Sequence, residues 1–124
     1  MFLIRTRVGP SPVHGVGVFA RDAVPAGTVV WRFEAGFDRV VTAAERGAAP
    51  AAFRAFLDAY AYPSADLQGA ILLCCDDARF LNHSAAPNTA ERPFESVASR
   101  PIAAGEEITC DYGVFCLGWT GLEG

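Results

Sequence analysis

The chain has 124 residues, is 52% hydrophobic and 19% charged, and carries a formal net charge of −4. That length suits one domain able to bury its own core, and the composition excludes a disordered tail. The acidic balance argues against direct contact with nucleic-acid phosphates and suits a basic partner. All ten basic residues are arginine, with no lysine, in the Ala-, Arg-, Gly- and Pro-rich composition that a GC-rich genome produces.

From the N-terminus, Phe2–Val8 alternates apolar and arginine positions, predicting a half-buried strand that Gly9-Pro10 ends. The opening Met1-Phe2-Leu3-Ile4 breaks at Arg5 and Arg7. No apolar run approaches the roughly 20 residues that span a bilayer. Neither a signal peptide nor a membrane segment is read, and the expected location is cytoplasmic. Gly15–Ala20 and Thr28–Phe33 read as strands joined through a turn at Pro25-Ala26-Gly27, and Arg39–Val41 as a further short strand. Pro50 sits where a helix takes a first-turn proline. Phe53, Phe56, Leu57 and Tyr60 then follow at i, i+3, i+4 and i+7, predicting one helix that ends near Tyr62-Pro63. Ile71–Cys75 reads as a buried strand, Asp76-Asp77 as a turn, and Phe94–Ser99 and Glu107–Cys110 as two more strands. Residues 23–28 echo 101–106, each an apolar lead into a glycine turn. Cys74, Cys75, Cys110 and Cys116 form no CxxC pair. The adjacent pair points to opposite faces of a strand, so reduced, mostly buried thiols are expected. The whole reads as a mostly β single domain with one short helix.

Three segments are dense in chemistry. In Ser11–Ala20, Gly15 and Gly17 flank Val16 and can let backbone amides approach a ligand, although a Gly-x-Gly between strands is more often a turn or bulge. In Arg79–Asn88, Asn82, His83 and Ser84 form a polar knot after two apolar residues. These groups suit reading an amino-acid-like or purine ligand, or tying down a buried loop. In Gly105–Gly113, Tyr112 follows a strand, where its hydroxyl can enter a cleft or be satisfied in the core.

In this order, SPVHGVGVFA, DARFLNHSAAPN and GEEITCDYG closely resemble the three signatures of the SET domain, a family of S-adenosylmethionine-dependent protein lysine methyltransferases. The resemblance spans Arg5 to Gly113. It implies a β-clip-like fold of small curved sheets, with the third segment threaded beneath the loop of the second. Such threading is an exception to the rule that chains are unknotted. Residues 1–124 form one such domain, with a variable insert at about 43–66 and a short tail at 114–124. The backbone around Gly15, Val16 and Gly17, with Asn82 and His83, would hold the cofactor, and Tyr112 would stand at the methyl-transfer centre. Tyr60 or Tyr62 would line the substrate channel with Cys110, and Phe115 or Trp119 would cover the adenine. Zinc-binding members carry a cysteine where this chain has Ala85 and a cysteine cluster after the tyrosine; neither is present, so no metal is implied.

The implied reaction transfers a methyl group from S-adenosylmethionine to a lysine amine of a basic protein, histone-like, DNA-associated or ribosomal. The alternative is a non-catalytic module that binds cofactor or a basic protein tail. A free lysine has a pKa of roughly 10.4 and must lose a proton first, and no carboxylate base is evident beside Tyr112. Asp111 reads as structural. Asp58, Asp66, Asp76 and Asp77 near the insert serve either as a solvated face or to attract a basic segment.

Overall fold

The computed structural model describes residues 1–119. From the N-terminus come β1 (Thr6–Pro10), β2 (Val16–Ala20), β3 (Val29–Arg32), β4 (Arg39–Val41), α1 (Ala43–Ala48) and α2 (Ala51–Tyr60). There follow β5 (Tyr62–Pro63), β6 (Ile71–Leu73), a 3₁₀ turn (Asp77–Phe80), β7 (Asn82–His83), β8 (Thr89–Arg92), β9 (Glu95–Ala98), β10 (Glu107–Cys110) and α3 (Tyr112–Phe115). The strands form three small sheets, ordered β1-β2-β10-β7, β3-β9-β8 and β4-β6-β5. The core draws on all three: Val18 and Ala20 from β2, Val30 and Trp31 from β3, Leu72 from β6, Ala98 from β9 and Ile108 from β10. Among the described residues no helix is long and apolar enough to cross a membrane.

The mostly β reading holds, as do the strands at Arg39–Val41 and Glu107–Cys110. The first strand starts later than its alternation suggests. Phe2 donates its N–H to Asp76, Leu3 donates to the Val30 carbonyl, and Phe2 bridges Trp31, so this stretch runs beside β3 and only Thr6 onward joins β2. Gly9 and Pro10 lie inside β1 because it is an edge strand, where a missing N–H is tolerated. The helical stretch is two helices. Thr42 caps α1 by accepting from the Glu45 N–H while its hydroxyl donates to the Glu45 carboxylate, a Thr-x-x-Glu box. Pro50 is the N-cap of α2, which stops at Tyr60, and Tyr62–Pro63 pairs with β6 instead. Of the expected apolar face only Leu57 is buried; Phe56 packs on Tyr60, which in turn meets Phe80 edge-on. Asp76 caps the 3₁₀ turn through the Ala78 N–H, and Asp77 accepts from the Thr6 hydroxyl, so this pair is structural. The β8–β9 hairpin turns tightly at Pro93-Phe94. Phe94 has φ +61°, and its N–H donates to Asp66. The echoed segments lie side by side: Val24 and Ile102 exchange backbone hydrogen bonds, and Gly27 and Gly105 both sit at φ +85°.

The loop 82–89 grips the segment 107–112 from both of its arms. On one side β7 lies parallel to β10 and the Ser84 N–H donates to the Cys110 carbonyl. On the other, the Asn88 amide donates to Glu106 Oε2 at 2.9 Å and to the Glu107 carbonyl at 2.8 Å. Asn88 Oδ1 accepts the Thr109 N–H at 2.9 Å, and the Thr89 hydroxyl donates to the Thr109 carbonyl at 2.7 Å. Asn88 is 1% exposed, so no water can replace these partners. Asn88→Ala is therefore expected to lower stability by about 2–4 kcal/mol, from orphaned polar groups at about 1–3 kcal/mol each. Urea unfolding measures this, and a loss below about 0.5 kcal/mol contradicts the grip.

Candidate active site

The three polar segments meet at Asn82. Its side-chain amide donates to the His14 carbonyl (3.0 Å), the Val16 carbonyl (3.0 Å), Glu107 Oε2 (2.9 Å) and Ser11 Oγ (3.1 Å), so its two hydrogens are shared among four acceptors. The Ser11 hydroxyl donates to the same Glu107 carboxylate at 2.7 Å. Gly17 lies against this knot: a Cβ there would stand 2.4 Å from Glu107 Oε2, so no larger residue fits without displacing the carboxylate. Gly15 takes φ +48°, a conformation that favours glycine. The loop 11–16 is thus shaped by one glycine at its turn and one beneath its anchor.

Beside this knot, β7 and the start of α3 present His83 and Tyr112. His83 Nδ1 accepts the Tyr112 backbone N–H at 3.1 Å, which assigns the ring proton to Nε2 in the neutral form. Asp111 caps α3 by accepting the Gly113 N–H at 2.9 Å and stands 3.8 Å from His83 Nδ1, a structural position. The Tyr112 hydroxyl donates to the Leu81 carbonyl. Burial, with lesser contributions from Cys110 and Cys116, pushes its pKa up, so the phenol stays protonated at any working pH. Burial does the same to Tyr62 and to the Cys110 thiol, and pushes Cys74 up to about 12. Cys75, by contrast, is exposed and Cys116 half-buried, so two of the four thiols are buried.

One cleft of about 630 Å³ joins these groups. Gly15, Val16, Asn82, His83 and Trp119 line it, as do Tyr60, Tyr62, Cys110, Tyr112 and Phe115. Of the residues expected from the sequence, only Gly17 does not; it acts from below, through its clearance under Glu107. Trp119 lies 4.1 Å from the His83 ring, and Phe115 meets Tyr62 edge-on at 5.1 Å. Both aromatics also meet the Tyr112 ring edge-on, Phe115 at 5.8 Å and Trp119 at 5.9 Å. The last five residues of the expected tail lie outside the described residues. Asp58 and Asp66 line the cleft; Asp76 and Asp77 do not.

Sequence reasoning passed over several contributors. Ser11 and Glu107 set the loop, and both lie within the quoted segments, but nothing in their spacing marks them as partners. Arg79 and Trp31 line the cleft, and Arg79 Nε and Trp31 Nε1 are buried with no hydrogen-bond partner among the described residues. Buried donors of this kind are uncommon in native cores. The only cue was the arginine three residues ahead of Asn82. Among the described residues no group of three or more metal-ligating side chains comes together.

The model of the SET domain family matches residues 15–113. No curated protein matches the sequence. Among solved structures, the chain resembles two forms of the Polycomb Repressive Complex 2 from Chaetomium thermophilum. One is a humanized mutant bound to an inhibitor, with 19% identity and a TM-score of 0.67. The other is an apo form with two substitutions in Ezh2, with 20% identity and a TM-score of 0.69. Each match covers 93% of this chain and 16% of the solved chain, so the present chain spans about a sixth of their length. At that identity the likeness establishes the fold; with the family match over most of its length, the chain belongs to the SET-domain family.

Proposed function

We propose that this chain transfers a methyl group from S-adenosylmethionine to a lysine side-chain amine of a basic protein. The observation that carries the proposal is the single cleft in which the Asn82–His83 knot and the Tyr112 hydroxyl face the same space as Tyr60, Tyr62 and Cys110. Its volume of about 630 Å³ lies within the roughly 300–1,000 Å³ of small-molecule sites. The lining fits the cofactor: the Arg79 guanidinium, on the cleft wall, suits its carboxylate, and the ring pair His83–Trp119 suits stacking on adenine. Asn82 contributes by holding the loop 11–16 in place.

S-adenosylmethionine supplies a methyl group on a positively charged sulfur, open to displacement by a neutral amine. The residues of this chain orient that displacement. Tyr112 Oη keeps its proton and gives it to the Leu81 carbonyl, which leaves its lone pairs to accept from the amine N–H. Tyr62, Tyr112 and Cys110 all remain uncharged, so these three groups offer an ammonium no countercharge beside the sulfonium. Cys110 is small, and we expect room for more than one methyl on the acceptor. The chain has no lysine, so the side-chain acceptor comes from another molecule. The net charge of −4 suits a basic one, histone-like, DNA-associated or ribosomal.

Calorimetry with S-adenosylmethionine, followed by tritiated-methyl transfer onto basic proteins, tests the proposal. Binding without transfer favours the non-catalytic module, and absence of binding overturns both readings. Asn82→Ala and His83→Ala are each expected to weaken cofactor binding by about 1–3 kcal/mol, the scale of one lost polar anchor; unchanged affinity in both would misplace the cofactor. Tyr112→Phe removes one hydroxyl and keeps the ring, so cofactor affinity stays while turnover falls about 100-fold or more. Retention of most activity would remove Tyr112 from the transfer centre.

A further inference from the structure

The cleft holds a carboxylate that the roles above leave unused. On β8, Thr89 is buried and Glu91 half-buried while Ala90 and Arg92 are exposed, the period-two alternation of a strand; Arg92 nonetheless lines the same cleft as Glu91. Glu91 lines the cleft. Its cross-strand neighbour Ser96, buried on β9, donates its hydroxyl to Glu91 Oε2 at 2.6 Å, and the Thr89 hydroxyl reaches Oε1 at 3.5 Å. Two neutral hydroxyls thus hold the group, and a carboxylate has about four lone-pair sites, so acceptor capacity remains on the cleft side. Among the described residues no cation pairs with it. The two arginines of neighbouring strands, Arg32 and Arg92, both pair with Glu95 instead.

The surroundings are those of the acceptor end. Glu91 lines the same cleft as Tyr62 and Cys110, and its charge adds to the effect of burial in raising both of their pKa values. Asp66, from the loop after β5, and Asp111, after β10, add negative charge near it, and Arg79, Arg92 and Glu95 line the same cleft, Arg92 being paired with Glu95. Burial pushes the Glu91 carboxyl up, against the two hydroxyls and with help from Asp66 and Asp111. Tyr62 and Cys110 themselves remain neutral. An unpaired, partly buried carboxylate of this kind is costly to keep unless something cationic visits it.

We propose that Glu91 meets the ammonium of the acceptor lysine beside Tyr62 and Cys110 and takes up its proton before methyl transfer. The inference rests on the methyltransferase reading and supplies the base that the sequence did not reveal. The step balances: one N–H bond of the ammonium breaks, its electron pair stays on nitrogen as the attacking pair, and the proton forms an O–H bond on Glu91. The carboxyl then releases that proton to water, matching the one proton that methylation of an ammonium sets free. Recognition of the cation and its deprotonation fall to the same group, so a neutral side chain gains no entry from it.

Two measurements on the full chain test this. The first follows the ¹³C carboxyl signal of Glu91, identified by its absence in Glu91→Gln, through a pH titration with S-adenosylhomocysteine present. Adding n-butylammonium, which stays charged throughout, is expected to move the Glu91 titration down by about half a pH unit or more, because a nearby cation favours the carboxylate. The second compares pH–rate profiles on a lysine-containing basic peptide. In the wild type, kcat falls as the pH drops through the Glu91 titration. In Glu91→Gln it is about 100-fold lower near neutral pH, the scale of a lost general base; the deficit shrinks as pH rises, cofactor affinity is unchanged, and Glu91→Asp recovers part of the rate. An n-butylammonium titration that leaves Glu91 unmoved overturns the proposal. So does a Glu91→Gln enzyme whose loss is equal at every pH, or absent. Should Glu91→Gln not fold, Glu91→Asp identifies the signal and the wild-type titration decides. Should the wild type transfer no methyl group, the methyltransferase reading fails, while the titration still reports whether Glu91 receives an ammonium.

Discussion

The Asn82 amide, sharing its hydrogens among Ser11, His14, Val16 and Glu107, holds three stretches of chain that are far apart in sequence. Each such bond contributes only about 0.5–1.5 kcal/mol net, but a buried group left without its partner costs about 1–3 kcal/mol. The network therefore forms as a whole or is strongly disfavoured. It dictates local sequence as well: Gly17 follows from the carboxylate that stands over it, since a Cβ would lie 2.4 Å from Glu107 Oε2. Without this anchor the loop 11–16 has no reason to lie along β7, and the cleft between them would lose one wall.

Around that anchor the structure sorts charge. The groups nearest the transfer centre, Tyr112, Tyr62 and Cys110, are held neutral by burial. Donors without partners, Arg79 Nε and Trp31 Nε1, occur in the same cleft as an acceptor without a cation, Glu91. A cleft with unsatisfied groups of both signs suits two ligands, one bringing a carboxylate and one an ammonium. That division is what the proposed reaction needs, a cofactor with an amino-acid end and a lysine acceptor.

Much of the architecture was legible in the sequence because strands leave a local signature. Val18 and Ile108 fall in β-branched runs, and both are fully buried in adjacent strands. Glu107–Cys110 was readable for the same reason, with Gly105 marking the turn before it. The failures are equally physical. β8 reads Thr-Ala-Glu-Arg and looks like loop, because its inward residues are polar: Thr89 bonds the Thr109 carbonyl and Glu91 lines the cleft. The apolar stripe of α2 implied a buried helix, yet Phe56 and Tyr60 are 41% and 38% exposed, for they stack beside Phe80 at the rim. The site residues were recognisable by motif, but their division of labour was not. Asn82 offered both ligand reading and loop tethering, and its amide clasps the loop 11–16, while Glu91 and Arg79, with no local pattern to mark them, line the cleft. Three-dimensional convergence has no period in the sequence, so only the tertiary structure exposes it.

The most direct test of the central claim is a crystal structure of the chain with S-adenosylhomocysteine. The account predicts the ligand in the cleft, its sulfur directed toward the Tyr112 hydroxyl and the Leu81 carbonyl, its carboxylate on Arg79 and its adenine against the His83–Trp119 pair. A ligand bound elsewhere on the chain, or a cleft that stays empty at saturating concentration, would contradict it.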